Sequence, residues 1–165
     1  LREKLLERKD RIKCIIEIGV CREALDRLDS TSTGIFFQNK HKHTQYIGID
    51  KRELRSLNHR SKNIEVIRAD SSDISRIKKR LVAKEIESVD FLMIDGWHSI
   101  NQVLLDWEYT QWLSDDGIVA FHDTAYHPGP NLFLKYLNRD TWNVEENVCS
   151  HIKNDFGLGF AWRKK

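Results

Sequence analysis

The chain is 165 residues long, about the length of one domain, and carries 40% hydrophobic and 32% charged residues. That balance excludes a disordered or fibrous chain and leaves enough apolar material for a sizeable core. With 27 basic against 25 acidic side chains and a formal net charge of +2, it lacks the basic excess that announces a nucleic-acid partner.

The N-terminal stretch Leu1–Lys13 is charged and helix-like, unlike a secretory signal. The first residue is not Met, which leaves an upstream segment open. No apolar run approaches the roughly 18–20 residues a membrane-spanning helix needs, so no membrane partner is expected. The three cysteines, Cys14, Cys21 and Cys149, match no zinc or disulfide spacing, and Cys14 sits in an apolar run as a small buried hydrophobe. A reducing, cytoplasmic compartment is the expectation.

Short apolar runs then alternate with polar or helix-like segments. Strands are predicted at 13–18, 45–50, 64–70, 89–95 and 117–123. A helix rich in Lys and Arg on its solvent side is predicted from Ile74 to Ile86. Ile100, Val103, Leu104 and Trp107 fall at helical spacing between the fourth and fifth strands. Trp107 and Trp112 read as packing residues there. A loop holding Pro128 and Pro130, a helix over Asn131–Asn138, and strands near Trp142–Val148 and Gly157–Trp162 complete the chain. Near-continuous apolar strands belong to parallel sheets covered on both faces. The expected fold is therefore α/β, a Rossmann-like three-layer sandwich whose mostly parallel sheet ends in a C-terminal antiparallel hairpin. With no linker, repeat or low-complexity stretch, residues 1–165 read as a single domain.

Four predicted strands end on aspartate: Asp50, Asp70, Asp95 and Asp123. Ligands of open parallel sheets bind outside the carboxyl ends of the strands, so these carboxylates mark a candidate site along one rim. A single such Asp would usually be a helix cap; four in register point to a site. After the first strand, Glu17-Ile18-Gly19 offers a glycine that lets backbone approach a ligand. The following Val20-Cys21-Arg22 lacks the further glycines of a dinucleotide cradle. Asp50 is placed to take ribose hydroxyls, although it lies further from Gly19 than the usual 20 or so residues; a polar insertion over 26–33 accounts for the extra length. Asp70 and Ser71 fit either an adenine edge or a helix N-cap. Trp97 lies inside the candidate site loop and fits either a stack on adenine or a cover over an acceptor.

The most informative block is Ile94-Asp95-Gly96-Trp97-His98-Ser99-Ile100, followed by Asp116-Gly117-Ile118-Val119-Ala120-Phe121-His122-Asp123. It resembles the class I S-adenosylmethionine (SAM)-dependent methyltransferases of the macrocin O-methyltransferase and cephalosporin-hydroxylase-like (type 24) group. Their fourth strand ends in I-D-G-x-H-[ST]-Y and their fifth in a run closing on H-D. The resemblance extends more weakly from Cys14 to Trp162, including Gly157-Leu158-Gly159, and the first turn departs from the glycine-rich family form. It implies a SAM site with Glu17 and Gly19 on the methionine side, Asp50 on the ribose, and Asp70 with Ser71 near adenine; Asp95 and, by its place in the loop, Trp97 are expected to line the same cleft. It also implies a divalent-cation site at Asp95 and Asp123, with His122 where some relatives carry an acidic residue.

Two carboxylates from neighbouring strand ends suit Mg²⁺ or Ca²⁺; with the histidines, Mn²⁺, Fe²⁺ or Zn²⁺ also fits. His98 or His122 is the candidate general base, with Asp95 beside them. The expected activity is methyl transfer from SAM to a hydroxyl of a small molecule such as a sugar. A catalytically inactive methyltransferase-like binding module is the alternative, favoured by the departed glycine turn. The missing glycines and the lack of a Tyr–Lys pair count against an NAD-dependent oxidoreductase. Homo-oligomerisation is left open.

Overall fold

The structure, a computed structural model, describes residues 1–20, 31–58, 61–147 and 156–165. Seven strands form one sheet: β1 (Cys14–Ile18), β2 (Gln45–Asp50), β3 (Ile64–Arg68), β4 (Val89–Ile94), β5 (Leu113–His122), β6 (Trp142–Asn147) and β7 (Leu158–Arg163). Their order is β3-β2-β1-β4-β5-β7-β6. β1 to β5 pair in parallel, whereas β7 runs antiparallel to both β5 and β6. The expected sandwich with an antiparallel C-terminal edge is thus the observed architecture, and the order reverses direction at β1 and β4, where such sheets open a crevice.

Among the described residues the helices are α1 (Arg2–Leu6), α2 (Ser32–Asn39), α3 (Arg55–Asn58), α4 (Ile74–Ala83), α5 (Ile100–Trp107) and α6 (Pro128–Tyr136), with short 3₁₀ turns at Lys9–Arg11 and Glu108–Trp112. Successive strand residues point to opposite faces, and the core divides accordingly. Ile16, Ile18, Ile49, Leu92, Ile94 and Phe121 meet Ile77 of α4, Val103 of α5 and Phe133 of α6. On the other face Ile15, Tyr46, Phe91 and Ala120 meet Leu5 of α1 and Phe36 of α2. Trp107 packs among Phe121, Phe133 and Trp142, and Trp112 lies edge-on to Tyr109. Cys14 is buried, and burial pushes its thiol up to about 12. Among the described residues no helix is long and apolar enough to cross a membrane.

Several boundaries differ from the sequence reading. α6 starts at Pro128 rather than after the prolines, because a proline in the first helical turn gives up an N–H that has no partner there. α4 ends at Ala83, just before Glu85 turns to a positive φ of 57°. β3 and β4 stop short of Asp70 and Asp95, so those carboxylates stand just beyond the strands. β5 begins at Leu113, because a register shift opposite Val89–Phe91 absorbs the polar residues before Ile118. Cys21, Arg22, Cys149 and most of the polar insertion lie outside the described residues.

Candidate functional site

The carboxyl ends of β1, β2, β4 and β5 open into a cleft of about 1120 Å³, a little above the range of ordinary ligand pockets. Its floor is set by a close approach. Gly19 donates to the Ile49 carbonyl at 2.9 Å, and Asp95 donates to Ile18 at the same distance. At φ +82°, Gly19 holds a conformation that L side chains avoid, and a Cβ there would stand 1.9 Å from the Asp95 carbonyl oxygen. Only glycine lets the first turn lie against the end of β4.

Beside this floor, Asp95, His98, His122, Asp123 and His127 converge. His122 Nδ1 is 2.8 Å from Asp123 Oδ1 and 3.3 Å from Asp95 Oδ1. His98 Nε2 is 3.2 Å from Asp123 Oδ2 and 3.4 Å from Asp95 Oδ1. His127 Nε2 lies 3.8 Å from the same Asp123 Oδ2, and its ring stacks on that of His98 with centroids 4.5 Å apart.

The chain turns sharply to build this corner. Asp123 adopts φ 60°, which Asp tolerates better than most residues, and its carbonyl accepts from the backbone N–H groups of Tyr126 and His127. That turn returns His127 to the cleft as the residue before α6. The helix start then packs on the 95–99 loop so tightly that a Cβ on Gly129 would lie 2.2 Å from the His98 carbonyl.

Charge sets the protonation states. Burial works against a charged His122, but its hydrogen bonds with Asp123 and Asp95 push it up to about 10. Burial likewise opposes an ionised Asp95, yet His122 and His98 hold it below the usual carboxylate range. In this arrangement the imidazolium of His122 is the counter-charge to two neighbouring carboxylates, the place a cation would take. Asp95, His122 and Asp123 form one group with convergent ligand atoms; His98, Asp123 and His127 form a second that shares Asp123.

Residues 17–124, about two thirds of the chain, match the family model Methyltransf_24, described as a methyltransferase domain. The chain belongs to this methyltransferase family.

Solved methyltransferases share its fold. MycE of the mycinamycin biosynthetic pathway, in complex with Mg and SAH (S-adenosylhomocysteine), superposes with a TM-score of 0.64 at 15% identity, over 99% of this chain and 48% of MycE. CalS11, a TDP-rhamnose 3'-O-methyltransferase of calicheamicin biosynthesis, gives 0.65 at 14% identity, over 96% and 75%. An rRNA methylase from Streptococcus thermophilus gives 0.68 at 12% identity, over 99% and 94%. The chain therefore spans about half the length of MycE. Comparison with curated proteins finds no match.

The methyltransferase cleft brings most of the sequence-expected residues together: Gly19, Asp50, Ser71, Asp95, Trp97, His98, His122 and Asp123 all line it. Trp97 is 72% exposed, a bare aromatic surface at the mouth. Ser71 is buried and fixed from both sides: its Oγ accepts from Gln102 Nε2 at 3.0 Å and its carbonyl from the Tyr109 hydroxyl at 2.7 Å. The Asp50 carboxylate is already engaged. It accepts from Val20 N at 3.2 Å and takes a two-pronged pairing from Arg52, whose Nε and Nη2 donate at 3.0 and 2.9 Å.

Two of the expected residues lie outside the cleft lining. Glu17 does not line the cleft; it is wholly buried on the α2 face of the sheet, where Ser32, Thr33 and Tyr46 donate their hydroxyls to it. Burial raises its pKa to about 7 against those three hydrogen bonds. Asp70 turns away as well, neither lining the cleft nor capping α4. It pairs with Lys51 at 2.8 Å and accepts from the Ser72 backbone and hydroxyl, which together hold it down to about 2; the cap of α4 is Asp73.

Sequence reasoning missed His127, Gln102 and Arg52. His127 carried a signal, standing four residues past the terminal Asp123 and directly before a helix-starting proline. Arg52 carried none, since an arginine after a strand is ordinary.

Proposed function

We propose that this domain transfers the methyl group of SAM to a hydroxyl oxygen of a small molecule, with help from a divalent cation. The observation that carries the reading is the corner where Asp95, His98, His122 and Asp123 meet inside the cleft of a methyltransferase-family fold. That MycE, holding Mg and SAH, and the O-methyltransferase CalS11 share the fold supports it.

The residues fit SAM at the first turn and the β2 end. Gly19 brings bare backbone to the cleft floor, Asp50 offers a carboxylate for the ribose diol once Arg52 yields, and Ser71 and Trp97 bound the adenine side. Asp95, Asp123 and His122 fit a divalent cation, since their ligand atoms already converge around a shared point. Bound there, the cation would act as a Lewis acid that acidifies the acceptor hydroxyl.

The protein's remaining work is alignment and proton removal, because the sulfonium donor is already activated. His98 is the residue placed for the second task. Its Nε2 faces Asp95 and Asp123, and His127 stacks on its ring and fixes its plane. His122, pushed up to about 10 between its two carboxylates, is a poor acceptor of protons near neutral pH, so the base role falls to His98 and the counter-charge or ligand role to His122. In this reading residues 1–165 make up a single domain. The acceptor in this reading is a hydroxylated small molecule such as a sugar.

Calorimetric titration with SAM and SAH, on the wild type and on Asp50→Ala, tests the donor site. Micromolar binding that the substitution abolishes supports the reading and opens an acceptor screen with and without divalent metal. Failure of both ligands to bind the wild type would leave the inactive-module alternative in its place.

A further inference from the structure

The cation corner contains more nitrogen than the hard, oxygen-only sets that hold Mg²⁺. Mg²⁺ demands near-octahedral oxygen ligands and dehydrates reluctantly, whereas imidazole suits borderline first-row dications. Here one corner offers Asp95 Oδ1, Asp123 Oδ1 and His122 Nδ1, with separations of 2.8 and 3.3 Å across the two oxygen–nitrogen pairs. Ligand atoms that share one ion at about 2.1 Å stand roughly 3.0 Å apart in cis-octahedral geometry and about 3.4 Å apart in tetrahedral geometry. The 3.3 Å pair falls within that range and the 2.8 Å pair stands about 0.2 Å short of it.

The neighbourhood adds to the bias. The second oxygen of Asp123 faces His98 and His127, so among the described residues the ligand groups around this carboxylate, Asp95 apart, are imidazoles. Asp123 itself is buried, 8% exposed, and held at a fixed angle by its turn. That leaves little freedom for an ion to draw in extra carboxylate oxygens.

We propose that the site binds a borderline transition dication of the Co²⁺, Ni²⁺ or Zn²⁺ class through His122 Nδ1, Asp95 and Asp123, in preference to Mg²⁺. This deepens the cation part of the proposed function and is independent of whether SAM binds. His122 is the specificity-determining ligand: it stands where a carboxylate would make the set hard.

The test is calorimetry on metal-stripped full chain with Co²⁺, Zn²⁺ and Mg²⁺ in turn, backed by the visible absorption of the Co²⁺ form. The wild type is expected to bind Co²⁺ and Zn²⁺ one to one, at least about 100-fold tighter than Mg²⁺. His122→Glu is expected to shrink that preference at least ten-fold by turning the set to oxygen, and to change the Co²⁺ spectrum. His127→Gln, which removes no helix-capping hydrogen bond, is expected to change metal affinity far less than His122→Glu. Thermal unfolding confirms that each variant is folded, and His122→Asn replaces any that is not, with loss of Co²⁺ affinity as its expected result.

Equal affinity for Mg²⁺ and Co²⁺ in the wild type would overturn the proposal. So would a preference that survives His122→Glu, or one lost only in His127→Gln, which would move the ion to the other side of Asp123. SAH titration in parallel separates the two readings. SAH binding with no metal binding sinks this inference and the cation part of the proposed function but leaves the donor site standing. SAH binding with metal binding that favours Mg²⁺ sinks this inference alone, and metal selectivity without SAH binding sinks the donor site alone.

Discussion

Glu17 makes the stability of this fold depend on pH in a direction opposite to that of most carboxylates. Its side chain is wholly buried beneath α2, and burial lifts its pKa from an ordinary 4.5 to about 7. A folded-state pKa above the unfolded one means that the folded protein holds the proton more tightly. The associated stability is fully present below about 4.5 and is lost as pH rises through about 7. At about 1.36 kcal/mol for each pH unit of difference, the whole window is worth about 3 kcal/mol, and the part between about pH 5 and pH 8 about 2.5 kcal/mol.

Glu17→Gln removes the titration while leaving polar atoms for the hydroxyls of Ser32, Thr33 and Tyr46, each of which can donate or accept. Urea unfolding of both proteins at pH 5 and pH 8 isolates the effect, because other titrating groups cancel in the difference. The wild type is expected to lose about 2.5 kcal/mol more than Glu17→Gln on going from pH 5 to pH 8. A difference that is absent, or that favours the wild type at pH 8, would refute the reasoning and mean that the three hydroxyls stabilise the ionised carboxylate fully.

Gly19→Ala places a Cβ 1.9 Å from the Asp95 carbonyl at φ +82°; left-handed backbone alone costs roughly 1–2 kcal/mol, so thermal unfolding should fall accordingly and SAH titration should show no binding. Arg52→Ala frees the Asp50 carboxylate from its two-pronged partner. Because the Arg52 side chain is 43% exposed, the released ion pair is worth about 1 kcal/mol at most, and SAH should bind up to about five-fold tighter by calorimetry; weaker binding would mean that Arg52 contributes to the donor site. Asp90 lies at the opposite end of the sheet, where it accepts from Lys13 N, Cys14 N and the Ser114 hydroxyl. Asp90→Ala should cost about 2–3 kcal/mol in chemical denaturation with SAH affinity unchanged, and a loss of binding would show that the two sheet ends are coupled.

Much of this protein is dictated locally. β2, Gln45–Asp50, has the bounds its apolar run suggests, since β-branched residues between polar ends can be satisfied only as a buried central strand. The blocks ending in Asp95 and Asp123 announce their place by the same logic: a polar residue directly after a buried strand must stand at the rim. What the sequence could not settle depends on which face or turn a side chain takes. Glu17 and Ile18 are neighbours, yet the two-residue period of a strand sends Ile18 toward α4 and α5 and Glu17 under α2. Asp70 and Ser71 are neighbours too, and the turn after β3 gives Lys51 the first and the cleft the second. His127 reaches His98 only because Asp123 turns left-handed and Gly129 lets α6 close on the 95–99 loop. Strand ends follow from hydrophobic pattern, a one-dimensional property. The pairing of Asp50 with Arg52 and the meeting of three histidines at one carboxylate follow from packing, which joins residues that no local pattern connects.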